Sequence, residues 1–215
     1  MRLSKADRQE IVATLVFAVL IVIGALLAGE LKADEVPQVA HKYRADLTRN
    51  ARHVWGLDAP IATFAAQVHQ ESGWNPLAVS RVGAQGMAQF MPATARWWCA
   101  KEGTTAADCQ PQNPVWALRS LAAYDRWLWD RINAATPCDR MAMTLSAYNG
   151  GLGWVFKERK LTAQAGADPQ RWFGHVAHYN AGRSHAAFTE NRHYPERILL
   201  ALAPRYAAWG KGSCA

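Results

Sequence analysis

The chain has 215 residues, 50% of them hydrophobic, with 24 Lys and Arg against 17 Asp and Glu for a formal net charge of +7. That length holds one domain plus an appendage, and the apolar share supplies a sizeable core. The basic balance suits an acidic polymer or an anionic lipid surface, but no Lys/Arg-rich tract or nucleic-acid signature accompanies it, so no nucleic acid is expected as a partner.

Ile11 to Ala28 reads IVATLVFAVLIVIGALLA, 18 residues without a charge. A bilayer is crossed by about 20 apolar residues, and a run that is apolar on every face does not suit a surface helix. A cleaved signal peptide is the competing reading. Its apolar region is usually about 7–15 residues, and Leu31-Lys32-Ala33 makes a poor cleavage site. The expectation is therefore an uncleaved single transmembrane signal-anchor over residues 11–28. Arg2, Lys5 and Arg8 place residues 1–10 in the cytoplasm, and the polar residues 29–42 read as a tether to a domain outside it, residues 43–215.

Apolar spacing turns helical from Tyr43 to Trp55, through Leu47, Ala51 and Val54. Asp58-Ala59-Pro60 reads as a helix start, with Asp58 as the capping acid, and Ile61 to Ser72 continues it. Residues 73–86 read as loop, and 85–98 as a helix with an irregular start near Pro92. Further helices are expected over residues 114–132, 140–148, 169–179 and 189–203. Few runs alternate with period two, so the domain is expected to be all-α. Cys99, Cys109, Cys138 and Cys214 all follow the span. Outside the cytoplasm they imply two disulfides, with three connectivities possible. Pairing Cys99 with Cys109 closes a short loop and would leave Cys138 with Cys214. The spacings match no usual zinc pattern, so no metal is expected.

Within HQESGWNPLAVSRVGAQGMAQFMPATA, His69 to Ala95, Glu71 is the single acid, and no second carboxylate follows before Glu102. It lies near a helix C-terminus, where the dipole disfavours negative charge, and in an apolar, turn-rich setting that disfavours ionisation. A carboxyl that keeps its proton near neutral pH is what a general acid needs to protonate a glycosidic oxygen.

The same segment resembles the catalytic stretch of the soluble lytic transglycosylases, within the lysozyme-like superfamily. The matching residues are Glu71-Ser72, Trp74-Asn75-Pro76, Ala78, Ser80, Gly83-Ala84, Gly86, Gln89, Met91-Pro92 and Thr94-Ala95. Ala147-Tyr148-Asn149-Gly150-Gly151 is similar to the family's tyrosine element. Glu190-Asn191-Arg192-His193-Tyr194 is similar to its Glu-Thr-x-x-Tyr element, with Asn191 in place of Thr. The resemblance runs from about Tyr43 to Arg205 and leaves out the anchor.

The resemblance implies a mostly helical lysozyme-like fold, peptidoglycan glycan strands as substrate and no cofactor. It implies Glu71 as acid and then base. Ser80 and Gln89 would hydrogen-bond the sugar, Met91 would pack on a sugar face, and Tyr148 would support the N-acetyl group. Asn149 would shape the loop, and Glu190 and Tyr194 would close the far wall. Packing, capping and a surface ion pair are the plain alternatives for Met91, Asn149 and Glu190. Tyr179-Asn180-Ala181-Gly182 is a second copy of the tyrosine pattern. Trp74, Trp97 and Trp98 could stack on sugars or fill the core.

One carboxylate serves twice in this family: it protonates the oxygen between N-acetylmuramic acid and N-acetylglucosamine, then accepts the proton of the C6 hydroxyl, leaving a 1,6-anhydromuramyl end. A goose-type lysozyme is the competing enzyme, hydrolysing with aspartates for which Asp108, Asp125 and Asp130 are available. A non-catalytic peptidoglycan-binding protein is the competitor from another class. The implied location is the inner membrane, single-pass, with a monomeric catalytic domain in the periplasm. The part from Trp172 onward also resembles transglycosylase-type endolysins of phages and prophages, so host lysis is the expected role, with wall remodelling and secretion as alternatives.

Overall fold

The computed structural model describes residues 36–214. The expected anchor, residues 11–28, lies outside the described residues, among which no helix is long and apolar enough to cross a membrane. A compact unit runs from Pro37 to Ala215. Residues 37–42, read from sequence as tether, belong to it: helix α1 (Gln38–His41) buries Ala40, and the next residue, Tyr43, stacks on Trp74 with centroids 6.3 Å apart.

Helix α2 (Arg44–Trp55) turns Leu47 and Ala51 inward and donates a hydrogen bond from Trp55 Nε1 to the Ala122 carbonyl at 2.8 Å. Helix α3 (Ile61–Ser72) is buried on all sides from Ile61 to Val68, so it runs through the core rather than along it. Asp58 does not cap it; the carboxylate is exposed and pairs with Lys211 at 2.7 Å. Gly73 ends the helix in the left-handed region, φ 59°, its N–H bonded to the His69 carbonyl, which leaves Glu71 in the last turn.

The helix expected over residues 85–98 is shorter. Residues 85–90 form a tight turn with bridges Val79 to Gln85 and Gln85 to Phe90. Gly86 (φ 75°) and Gln89 (φ 47°) are both left-handed, which a helix does not tolerate. Helix α4 (Pro92–Lys101) then starts on Pro92, whose fixed φ and missing N–H suit a first turn. Helix α5 (Pro114–Trp129) is capped by the Asn113 side chain, which accepts from the Val115 and Trp116 amides, and α6 (Pro137–Gly150) by Thr136, which accepts from Asp139 N.

Two expectations fail in the C-terminal third. Residues 169–179 hold only a single 3-10 turn, Val176–His178, while helix α7 (Leu152–Gln164) was not expected. Its buried positions are Val155, Glu158 and Thr162, so its inward face carries a charge and a hydroxyl and lacks an apolar stripe. Helix α8 (His185–Glu196) begins earlier than residue 189, on a Ser184 cap, and gives way after Pro195 to a π-helical turn (Arg197–Leu202) and a 3-10 turn (Ala203–Trp209). These last turns pack on α3. Trp74, fully buried, donates from Nε1 to Tyr206 Oη at 2.8 Å, and Tyr206 Oη lies 2.9 Å from His69 Nδ1.

Cys99 pairs with Cys109 and Cys138 with Cys214, the pairing in which the first closes the short loop. The partners are 10 and 76 residues apart in sequence. The longer loop restricts the unfolded chain more, so C138S/C214S is expected to lose about 4.5 kcal/mol and C99S/C109S about 2 kcal/mol less, by urea unfolding. An equal or reversed loss contradicts this entropic account.

Candidate active site

A cleft of about 270 Å³ opens between the end of α3, the 73–91 loop, α5, α6 and α8. Glu71, Ser80, Gln89, Met91, Tyr148, Asn149 and Glu190 line it, together with Phe90, Thr94 and Tyr124. Seven of the eight substrate and catalytic positions named from sequence thus converge from three chain segments. The eighth, Tyr194, lies behind the wall: it is 5% exposed and its phenol donates a hydrogen bond to Glu71 Oε1.

Glu71 is half-buried at the cleft floor. The protein packed around its carboxyl pushes the pKa up to about 8; the Tyr194 hydrogen bond opposes this, and the charge of Glu190 adds to it. Burial costs the charged form its hydration, and here that loss outweighs the donated bond. At neutral pH Glu71 therefore carries a proton. Burial also raises the Tyr148 and Tyr194 phenols well above their usual range, with the nearby Glu71 charge adding to it, so both stay donors.

The 73–91 loop is held by its own side chains. Ser80 Oγ accepts from Ala84 N at 3.0 Å, and Gln89 Nε2 donates to the Gly86 and Ala78 carbonyls at 2.8 and 3.3 Å. Ser72 Oγ donates to the Met87 carbonyl at 3.0 Å and Tyr148 Oη to the Ala88 carbonyl at 2.7 Å, fastening the loop to α3 and α6. Gly86 has no room for a side chain: a Cβ there would lie 1.7 Å from the Pro111 carbonyl oxygen. On the far side Asn191 Nδ2 donates to Asn149 Oδ1 at 2.8 Å and to the Ser146 carbonyl at 2.9 Å, and Asn149 Nδ2 donates to Glu190 at 3.4 Å.

The aspartates weighed as helpers stand elsewhere. Asp108 is exposed and accepts from Thr105, Asp130 pairs with Arg126, and Asp125 is fully buried outside the cleft lining. Tyr179 is also outside the cleft lining; its carbonyl accepts from Arg192. Trp74 and Trp98 are core residues, at 0% and 2% exposure, whereas Trp97 is 45% exposed and packs edge-on against Trp127. No cluster able to hold a metal ion occurs among the described residues. Sequence reasoning missed Tyr124, whose ring lies 5.4 Å from Tyr148 and 5.8 Å from Phe90; its helical spacing marks it only as core.

The family model for the transglycosylase SLT domain matches residues 49–170, more than half of the chain. The chain belongs to the SLT transglycosylase family. This SLT domain is 33% identical over 148 residues to membrane-bound lytic murein transglycosylase F of Pasteurella multocida, a match covering 68% of this chain and 26% of that one. The chain therefore spans about a quarter of that relative's length. Among solved structures it is similar to an inactive variant of lytic transglycosylase Slt from Pseudomonas aeruginosa, with TM-score 0.56, 26% identity, and coverage of 77% of this chain and 24% of that one. The 70 kDa soluble lytic transglycosylase of Escherichia coli shares the fold at TM-score 0.54 and 22% identity, over 77% of this chain and 25% of that one.

Because the Tyr194 bond favours the ionised form, Y194F is expected to raise the Glu71 pKa further. A hydrogen bond to a charged group contributes about 1.5–3 kcal/mol, so the alkaline limb of the pH-rate profile should move up by about one pH unit or more and kcat should fall about tenfold. A downward shift of that limb contradicts the assigned role of the bond.

Proposed function

We propose that this SLT domain is a peptidoglycan lytic transglycosylase that breaks the bond between N-acetylmuramic acid and N-acetylglucosamine without consuming water. The observation that carries the reading is a single carboxyl held protonated at neutral pH on the floor of the cleft. The one other acid lining that cleft, Glu190, is exposed at the rim.

Glu71 gives its proton to the glycosidic oxygen as the bond from that oxygen to the muramyl C1 breaks. The substrate's own acetamido oxygen bonds to C1 and carries the positive charge, so the protein supplies no second carboxylate. Glu71, now ionised, accepts the proton of the muramyl C6 hydroxyl as that oxygen attacks C1 and the bond from C1 to the acetamido oxygen breaks, returning the acetamido group to its neutral form. The acid is regenerated, and no cofactor enters the balance. Ionised Glu71 sits where burial disfavours charge, which makes it a ready base for the second step.

The neighbours have donors and acceptors to match. The Ser80 hydroxyl accepts from Ala84 N and keeps its own hydrogen for a sugar oxygen. Gln89 spends its amide hydrogens on the Gly86 and Ala78 carbonyls and offers Oε1 to a sugar hydroxyl. Tyr148 Oη donates to Ala88 and can accept from the N-acetyl N–H. Met91, 41% exposed at the rim, offers an apolar face to a sugar ring. Asn149 and Glu190 fix the opposite wall through their mutual hydrogen bond.

The domain works, in this reading, tethered to the inner membrane by residues 11–28 and facing the periplasm. The apolar sequence of that segment supports this, and so does the name membrane-bound lytic murein transglycosylase F carried by the relative from Pasteurella multocida. That name also favours wall remodelling as the setting; host lysis by a phage or prophage enzyme rests on the likeness of the segment from Trp172 onward.

The test is digestion of purified peptidoglycan by the full chain beside E71Q, with fragments analysed by mass spectrometry. Fragments lighter than hydrolysis products by one water are expected, with activity reduced about a hundredfold or more in E71Q. Reducing ends would replace the lyase by a hydrolase, and E71Q activity near wild type would remove Glu71 from the mechanism.

A further inference from the structure

Behind the Glu71 carboxyl lies a polar pair that the reaction does not use. Asp125, on α5, and Gln67, on α3, are both 0% exposed. They are neighbours in the core, between two helices whose other inward residues are largely apolar. All four of their polar atoms, Gln67 Oε1 and Nε2 and Asp125 Oδ1 and Oδ2, lack a partner in bonding geometry. Buried polar groups left in that condition are rare, because each forfeits its hydration for nothing.

The donor count says which protonation state resolves the conflict. An ionised Asp125 can only accept, so it could take one hydrogen from Gln67 Nε2 and would leave Gln67 Oε1 facing a negative charge. A protonated Asp125 donates its O–H to Gln67 Oε1 and accepts from Gln67 Nε2 through its other oxygen. Two bonds then satisfy all four atoms in a closed ring. The terminal torsions of both side chains are soft, so a small rotation of either closes it. The Gln67 amide alone favours the charged form, one donor against full burial, and no cation is among the groups acting on Asp125.

The position ties this pair to the cleft. Gln67 is one helical turn before Glu71 on the same face of α3, and Asp125 follows Tyr124, which lines the cleft. The titratable groups that face Asp125 are Glu71 from α3, Tyr124 on its own helix, Tyr148 from α6 and Tyr194 from α8; those that face Glu71 include Glu190 as well. None is a cation. A charge on Asp125 would therefore act directly on Glu71 with nothing between them to offset it.

We propose that Asp125 and Gln67 form a neutral acid–amide ring that positions the last turn of α3 and keeps the second buried carboxyl uncharged while Glu71 alternates between acid and base. The proposal rests on Glu71 as the reacting group. Burial pushes the Asp125 carboxyl well above its usual range; the Gln67 amide opposes this and the Glu71 charge adds to it, and the net direction is the one the ring requires. Asp125 is a positioning residue: it does not line the cleft and meets no substrate.

Three measurements on the full chain test it. In D125N an amide–amide ring replaces the acid–amide ring, so kcat and the alkaline limb of the pH profile should stay near wild type. In D125L Gln67 is orphaned, and kcat should fall about tenfold with KM unchanged. The third uses no activity: in an E71Q background, isotope-edited infrared spectra at neutral pH should show a protonated aspartic acid band that D125N removes. If Asp125 were ionised, that band would be missing, and D125N would lower the Glu71 pKa and shift the alkaline limb down by about one pH unit or more. Either result overturns the proposal, as does a D125L protein that loses thermal stability yet keeps kcat and the profile of wild type. Should D125L not fold, the D125N profile and the infrared band decide. The band also survives failure of the lyase reading, so the two ideas fall separately.

Discussion

Desolvation of the Glu71 carboxyl is the interaction on which the site depends. In the last turn of a helix whose first eight residues are all buried, the group has lost much of the water that would stabilise its charge. One donated bond, from Tyr194, works against that loss, and Glu190 works with it. The balance leaves a proton on Glu71 at neutral pH, and a pKa near the working pH lets one residue give a proton and take one back. With stronger donors around it the carboxyl would be ionised at neutral pH and have no proton to give, and with none it would hold its proton too tightly to give it readily.

The rest of the fold serves to hold that balance in place. Gly73 stops α3 two residues after the acid, and Trp74, itself left-handed at φ 69°, plunges directly into the core against Tyr206. This fixes where the 73–91 loop departs. Gly86, pressed against the Pro111 carbonyl, fixes where it returns, so Ser80 and Gln89 face the cleft from a rigid frame of backbone hydrogen bonds. On the other wall the buried cluster of Glu158, Arg183 and Arg192 supports Asn191, which in turn holds Asn149 beside Tyr148. Gly150 is small because Arg183 and Asn191 occupy the space a side chain would need.

Most of this cleft was legible in the sequence, because its chemistry sits in short stretches whose residue types have few other uses. Glu71, the Tyr148 element and the Glu190-to-Tyr194 element each carried their own signal, whereas the pairing of Cys99 with Cys109 was one of three connectivities left open. What was illegible depends on contacts between distant segments. Helix α7 hides because Glu158 is buried by two arginines from beyond the helix, so its inward face looks polar. Residues 85–91 look helical in composition, and the close approach of Pro111, which leaves room only for glycine at position 86, comes from a distant segment. Asp125 reads as one polar position among several on α5; its partner, Gln67, is 58 residues away in sequence by their numbering, and nothing local links them.

The most direct test is the titration of Glu71 itself, followed by carbon NMR of its labelled carboxyl and assigned with E71Q. A midpoint near about 8 is predicted from the burial of this group. A midpoint near the ordinary 4.5 would mean that water and donors reach the carboxyl after all. Glu71 would then be ionised at neutral pH, and the acid that starts the reaction would have to be sought elsewhere in the cleft.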